Sequence, residues 1–145
     1  MRAFVQRVKY SSVKVDEENY FKEIQGGFNV LLGVKKGDTR DDADRLIKKI
    51  SSLRVFSDAE GKMNLSLKDV GGSILLISQF TLYADTSKGN RPSFIGAACY
   101  EEGKSLYEYT ARGLAEYAEV KCGIYGADMS VTICNDGPVS IMLES

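Results

Sequence analysis

Four aliphatic residues in a row, Ile74-Leu75-Leu76-Ile77, stop abruptly at the polar pair Ser78-Gln79 before Phe80, Thr81 and Leu82. An unbroken apolar run of this kind reads as a strand buried on both faces. Phe28 to Val34 (FNVLLGV) has the same character and is a second buried-strand candidate. Arg2 to Tyr10 alternates instead, with Phe4, Val8 and Tyr10 on one face and Val5 and Arg7 on the other, which is the pattern of a half-buried strand. Val13 and Val15 alternate with Lys14 and Asp16, and the polar turn from Asp16 to Asn19 before Tyr20 to Ile24 predicts a hairpin.

The period then changes. Ala43, Leu46, Ile47, Ile50 and Leu53 recur at helical spacing behind a well-marked start, with Thr39 as N-cap and Asp42 three residues later. A second helix is predicted from Glu101 to Glu119, with Leu106, Thr110, Leu114 and Tyr117 on one side and Gly103 and Gly113 weakening it. Val55-Phe56 reads as a short strand, and Lys62 to Asp69 as an ordered loop with Met63, Leu65 and Leu67 turned inward. Val120 to Tyr125, Ser130 to Cys134 and Val139 to Leu143 close the chain as three short strands. With no repeat, low-complexity tract or linker, strands and helices must share one core. The expected fold is therefore α/β, a single domain over residues 1–145 in which curved, barrel-like mixed β-sheets pack against two helices.

Composition narrows the function. A formal net charge of -1 is not that of a protein that grips nucleic acid by bulk electrostatics, so any RNA partner must be held by a local patch. Lys88 and Arg91 in the loop TSKGNRPSF, and Lys48 and Lys49 on the first helix, are the candidate phosphate contacts, set against the ordinary reading of a solvated surface. Apolar runs fall far short of the roughly 20 residues of a membrane span, and Met1-Arg2 leads straight into a strand, so a cytoplasmic protein is expected. Cys99, Cys122 and Cys134 are odd in number and contain no CxxC pair, which indicates neither a disulfide framework nor a zinc site. The chain has no histidine, which removes the Ser-His-Asp triad, the Cys-His pair and every histidine-ligated metal. No cofactor and no metal is expected.

Two stretches remain as candidate chemistry. Ser78 and Gln79, with Phe80 and Thr81 behind them, end a rigid buried strand, where main-chain N–H groups and short polar side chains reach the rim of a sheet. The alternative is that Ser78 and Thr81 only satisfy local hydrogen bonds. In Asn135-Asp136-Gly137-Pro138-Val139-Ser140, the Gly137-Pro138 bond either is cis or forms a simple turn. If it is cis, its carbonyl groups are fixed acceptors for a ligand's ammonium group.

SQFTL (Ser78 to Leu82) and NDGPVS (Asn135 to Ser140) resemble the two signature segments of the D-aminoacyl-tRNA deacylases. The likeness continues through QRV at Gln6 to Val8, GKMNLS at Gly61 to Ser66, KGNRPSF at Lys88 to Phe94 and YGADM at Tyr125 to Met129, so it spans essentially the whole chain. One departure is Ser140, where that family pattern has threonine; the hydroxyl is kept and a methyl is lost. The resemblance implies a homodimer that hydrolyses the ester joining a D-amino acid to the 3′ acceptor end of tRNA, and that also clears mischarged glycyl-tRNA(Ala). It implies that Ser78, Gln79, Phe80 and Thr81 line the reaction centre, with main-chain N–H groups binding the oxyanion. It further implies that Gly137 and Pro138 form a cis dipeptide that enters the partner's pocket and excludes an L side chain, with Met129 and Arg7 as its supports. Thr81 has no histidine to activate it, so positioning is preferred to covalent attack. The alternatives are a related tRNA-editing deacylase of different substrate choice and a non-catalytic nucleic-acid-binding module on the same scaffold.

Overall fold

The computed structural model describes residues 1–145. In chain order the elements are β1 (Arg2–Val15), β2 (Tyr20–Ile24), β3 (Gly27–Gly33), α1 (Arg40–Ser52), β4 (Phe56–Ser57), β5 (Met63–Leu65), β6 (Ser73–Ser78), α2 (Tyr100–Leu114), β7 (Val120–Cys122) and β8 (Ser130–Glu144). The main sheet runs β2-β1-β3-β6-β7, with β8 paired to β1 as well, and β4 and β5 form a separate two-stranded sheet. β6 is parallel to both β3 and β7, whereas every pairing of β1 is antiparallel.

The aliphatic run explains the centre of this order. Ile74 and Leu76 point from β6 toward the helices and join a core with Phe28, Val30, Leu46, Ile50 and Leu114. Leu75 and Ile77 point the opposite way, into a second core with Val8, Val13 and Ile24. A strand with apolar neighbours on both faces must be apolar at every position, and each such side chain contributes about 1.5–3 kcal/mol of burial. The sheet curls until its ends meet. The Tyr20 hydroxyl on β2 donates to the Cys122 carbonyl on β7 at 2.7 Å, and the Lys121 ammonium donates to the Glu23 carbonyl at 2.9 Å. The fold is thus the expected α/β domain, a nearly closed barrel-like mixed sheet with two helices on its outside. No helix is long and apolar enough to cross a membrane.

Several local expectations change. β1 is one strand of 14 residues, not a strand followed by one arm of a hairpin, because two partners share one of its edges. β3 pairs with residues 2–8 of it and β2 with residues 11–15. Val8 is buried while Phe4 is only half-buried, since the pairing with β8 shifts register on either side of Val8. α2 begins at Tyr100 and ends at Leu114, so Tyr117 lies beyond the helix and is 46% exposed. Leu67 is buried as expected, but Met63 sits on the outer side of the small β4-β5 sheet and is 57% exposed. The last two predicted strands are one, β8, interrupted by an excursion described below.

α1 starts as its sequence predicts. The Thr39 N–H and hydroxyl both donate to the Asp42 carboxylate, at 2.8 and 2.9 Å, and Arg45 pairs with its other oxygen. The Thr39 main-chain bond, above all, holds the Asp42 carboxyl well below the usual carboxylate range. A carboxyl depressed in the folded state stabilises it fully above its unfolded pKa, about 4, and that stabilisation is lost as the pH falls below it. Asp42→Asn should lower stability at neutral pH by about 1 kcal/mol in urea denaturation, with the gap to wild type narrowing below about pH 4. A gap independent of pH would mean that the carboxylate charge does not contribute to the cap.

Candidate active site

β6 delivers Ser78 to the rim of the sheet, and the Gln79 N–H donates to the Leu32 carbonyl at 2.8 Å, extending the β3–β6 ladder one residue further. The chain then makes a 3₁₀ turn over Phe80–Tyr83. The first N–H groups of such a turn, here those of Phe80 and Thr81, have no partner within it. A cavity of about 450 Å³ opens at this strand end. Ser78, Gln79 and Phe80 form one wall, and Ala98, Tyr100 and the segment from Tyr125 to Met129 form the other.

That second wall is built from two tyrosines. Tyr100 and Tyr125 meet edge to face with ring centroids 5.3 Å apart, and Tyr107 lies 5.5 Å behind Tyr125. The rings fit only because two neighbours are glycine: a Cβ on Gly103 would come within 2.1 Å of the Tyr125 hydroxyl, and one on Gly126 within 2.7 Å of the Tyr100 ring. Burial pushes the Tyr125 phenol above its ordinary pKa, so it stays neutral at physiological pH. Asp128 is the only charged residue in the lining, and it is exposed. The walls therefore offer main-chain groups, amide and hydroxyl side chains and aromatic surface.

Thr81 is exposed and does not line the cavity. Its hydroxyl accepts a hydrogen bond from the Gln79 side-chain amide at 2.5 Å. An amide donor cannot remove the hydroxyl proton.

The second segment lies elsewhere in the same chain. Between Gln6 and Val8, β1 advances two residues while β8 advances five, from Ser140 to Asn135, so the residues between them are pushed out of the ladder. Gly137 and Pro138 sit at the exposed tip, joined by a cis peptide bond, with Gly137 at φ +120°. The neck is tied by Asn135, whose amide donates to the Arg7 carbonyl at 2.9 Å and to the Val139 carbonyl at 3.0 Å. Arg7 is 9% exposed beneath the tip. Its guanidinium pairs with the Asp136 carboxylate at 3.0 Å and also donates to the carbonyls of Asp136 and Val55. Ser140 accepts from the Gln6 amide at 3.3 Å, so its hydroxyl remains engaged without the threonine methyl.

Within one chain, then, Ser78, Gln79, Phe80 and Met129 meet at the cavity, and Arg7, Gly137 and Pro138 meet at the β8 excursion. Met129 stands in the cavity wall, with its sulfur close under Gly123, where an added Cβ would lie 2.6 Å from it. Residue-by-residue reading of the sequence passed over Tyr100, Ala98 and Tyr125 as lining groups. Tyr125 lay in view in YGADM, but nothing in the sequence placed Tyr100 opposite it. Of the candidate phosphate contacts, Lys88 and Arg91 are exposed, whereas the Lys49 ammonium is already bonded to the Glu144 carbonyl at 2.6 Å.

A curled mixed sheet with a cavity at the end of its central strand, lined by one charged residue, Asp128, and with an exposed projection from β8, defines a small α/β protein with two separate candidate segments. The chain belongs to the D-Tyr-tRNA(Tyr) deacylase family, whose model matches residues 4–144. It is 54% identical over its full length to the D-aminoacyl-tRNA deacylase of Clostridium novyi, covering 97% of that protein. It is also 52% identical over its full length to the D-aminoacyl-tRNA deacylase of Neisseria meningitidis, covering 91% of that protein. Among solved structures, one described as c-Myc DNA Unwinding Element Binding Protein superposes with a TM-score of 0.93 at 40% identity, covering 100% of this chain and 99% of the other. A probable eukaryotic D-amino acid tRNA deacylase has the same fold, with a TM-score of 0.82 at 15% identity over 99% of this chain and 98% of the other.

Phe80 is 55% exposed and rests edge-on against Phe94 with centroids 5.0 Å apart. Asp85 and Ser93 close the neck of the intervening loop through two main-chain bonds of 2.8 Å. Phe94→Ala should cost about 0.5–1.5 kcal/mol locally and speed tryptic cleavage after Lys88, with global stability nearly unchanged. Unchanged cleavage would mean that the ring pair does not hold the loop.

Proposed function

We propose that the chain hydrolyses the ester between a D-amino acid and the 3′-terminal ribose of tRNA, acting as a homodimer in which each cavity is completed by the partner's Gly137-Pro138. One observation supports this reading above the rest: within a single chain neither Gly137 nor Pro138 lines the cavity at the end of β6, and both are exposed. A second copy is the simplest way to bring them together. Membership of the deacylase family supplies the substrate class.

The chemistry asks little of side chains. A water attacks the ester carbonyl, and the developing oxyanion meets the N–H groups of Phe80 and Thr81, where losing one such donor typically costs roughly 10²–10³ in rate. Collapse of the tetrahedral intermediate breaks the bond between the acyl carbon and the ribose oxygen, and the proton lost by the attacking water reaches that oxygen through the vicinal hydroxyl, releasing the free amino acid and tRNA. The vicinal ribose hydroxyl assists, which removes the need for an imidazole base. The uncharged wall of Ala98, Tyr100 and Tyr125 suits the terminal nucleoside. The carbonyl groups at the partner's Gly137-Pro138 receive the ammonium group and leave no room for an L side chain. Glycine has none, so glycyl-tRNA(Ala) also passes. Such a substrate places the protein in the cytoplasm.

The likeness to a DNA-element-binding protein favours a second reading, a binding module without catalysis. The net charge of -1 speaks against it as a general nucleic-acid binder. Incubation with D-tyrosyl-tRNA and L-tyrosyl-tRNA separates the readings. Release from the D form alone is expected, and Thr81→Ala should keep a substantial part of it. Release from neither supports the binding module, and release from both removes the chirality filter.

Shared sites make a further prediction. Ala127→Trp fills the cavity, whose wall includes Ala127, and Gly137→Ala disables the tip, where a Cβ would lie 2.8 Å from Val139 and 3.1 Å from the Arg7 guanidinium. Mixed after unfolding and refolding, the two inactive variants should regain activity, because a heterodimer holds one intact cavity facing one intact tip. No recovery, with heterodimers present, would place each site within a single protomer.

A further inference from the structure

None of the four residues of the 3₁₀ turn is buried, so packing alone does not fix the main chain that the proposed hydrolysis depends on. The turn is secured at its two ends. At its start, the Gln79 N–H is held by the Leu32 carbonyl. At its end, the Leu82 carbonyl, which has no acceptor role inside so short a turn, receives the Arg2 guanidinium at 3.0 Å. The same guanidinium lies over the Tyr83 ring, 4.8 Å from its centroid. Its Nε is anchored from behind by the Glu144 carboxylate at 2.6 Å.

Arg2 does this from a particular rung of the sheet. It pairs across β1 and β3 with Gly33. Gly33 lies directly under the turn: a Cβ there would stand 3.1 Å from the Gln79 carbonyl oxygen and 3.2 Å from both Leu82 and Tyr83. One residue of the pair lets the turn settle onto the sheet, and the other grips its far end. The planar fork of arginine suits this task, since it can bond a carbonyl and a carboxylate at once while its face covers a ring.

We propose that Arg2 is a positioning residue for the hydrolysis, holding the turn Phe80–Tyr83 so that the Phe80 and Thr81 N–H groups face the reacting carbonyl. The inference rests on the function proposed above. Arg2 does not line the cavity, and its effect passes through Leu82 and Tyr83. Displacing catalytic groups by about 1 Å can cost about 100-fold in rate while ground-state binding survives.

The test compares Arg2→Met, which keeps the apolar stem, with Glu144→Gln, which weakens only the rear anchor. Arg2→Met should lower kcat on D-tyrosyl-tRNA by about 10- to 100-fold with KM little changed, and Glu144→Gln should stay near wild type. Amide hydrogen exchange should quicken at Leu82 and Ala84, whose N–H groups donate to the Gln79 and Thr81 carbonyls, in Arg2→Met while β6 keeps its protection. An unchanged kcat overturns the proposal. So does exchange that rises across β6 as well, or a Glu144→Gln variant that reproduces the full loss, since either makes Arg2 a general or C-terminal tether. A wild type inactive on D-tyrosyl-tRNA overturns the hydrolase reading itself, and the exchange measurement then decides alone whether Arg2 holds the turn.

Discussion

Burial of β6 on both faces is the constraint from which the site follows. Ile74 and Leu76 belong to the core under the helices, and Leu75 and Ile77 to the core inside the curled sheet, so the strand cannot shift without opening both. Parallel neighbours on each side fix its register to within a residue, because a slip by one would exchange the two sets. The chain leaves this clamp at Ser78, and what comes next inherits a defined position. A short turn with free N–H groups is a poor anion site when it is mobile. Set on a strand of this kind it is preorganised, and preorganisation is where the benefit of such donors lies.

The β8 excursion solves a similar problem by different means. Only Val139 at its base is buried in the core; its exposed tip is bound at the neck by Asn135 and from below by Arg7. Arg7 is an almost fully buried cation, tolerable because its guanidinium meets a carboxylate and two carbonyl oxygens. Polar scaffolding thus positions both main-chain features: Arg2 at the turn and Arg7 at the tip lie five residues apart on the same strand, β1.

How much of this was legible beforehand depended on whether the signal was local. The aliphatic run at Ile74–Ile77, the helical stripe of α1 and the Thr39–Asp42 cap are encoded by neighbours in sequence, and each appears where its pattern points. The continuity of β1 and β8 was hidden because it depends on which partner lies along each part of an edge, and no window of sequence contains that. Tyr117 was lost from the helix stripe for a related reason: periodicity continues past Leu114 although the backbone does not. At the site, the contiguous motifs announced themselves, whereas Tyr100 and Arg2 owe their positions to chain folding across long separations. The absence of histidine was informative at once, since it directed attention to main-chain chemistry.

The central claim is that handedness and catalysis are both handled by backbone atoms, contributed by two copies of the chain. A crystal structure with D-tyrosine joined to adenosine through a non-hydrolysable amide addresses it most directly. The account predicts the acyl carbonyl oxygen within hydrogen-bond distance of the Phe80 and Thr81 N–H groups, and the ammonium group facing the carbonyls of the partner's Gly137-Pro138. Density for the ligand outside the Ser78–Phe80 cavity, or inside it with no second chain near the ammonium group, would contradict it.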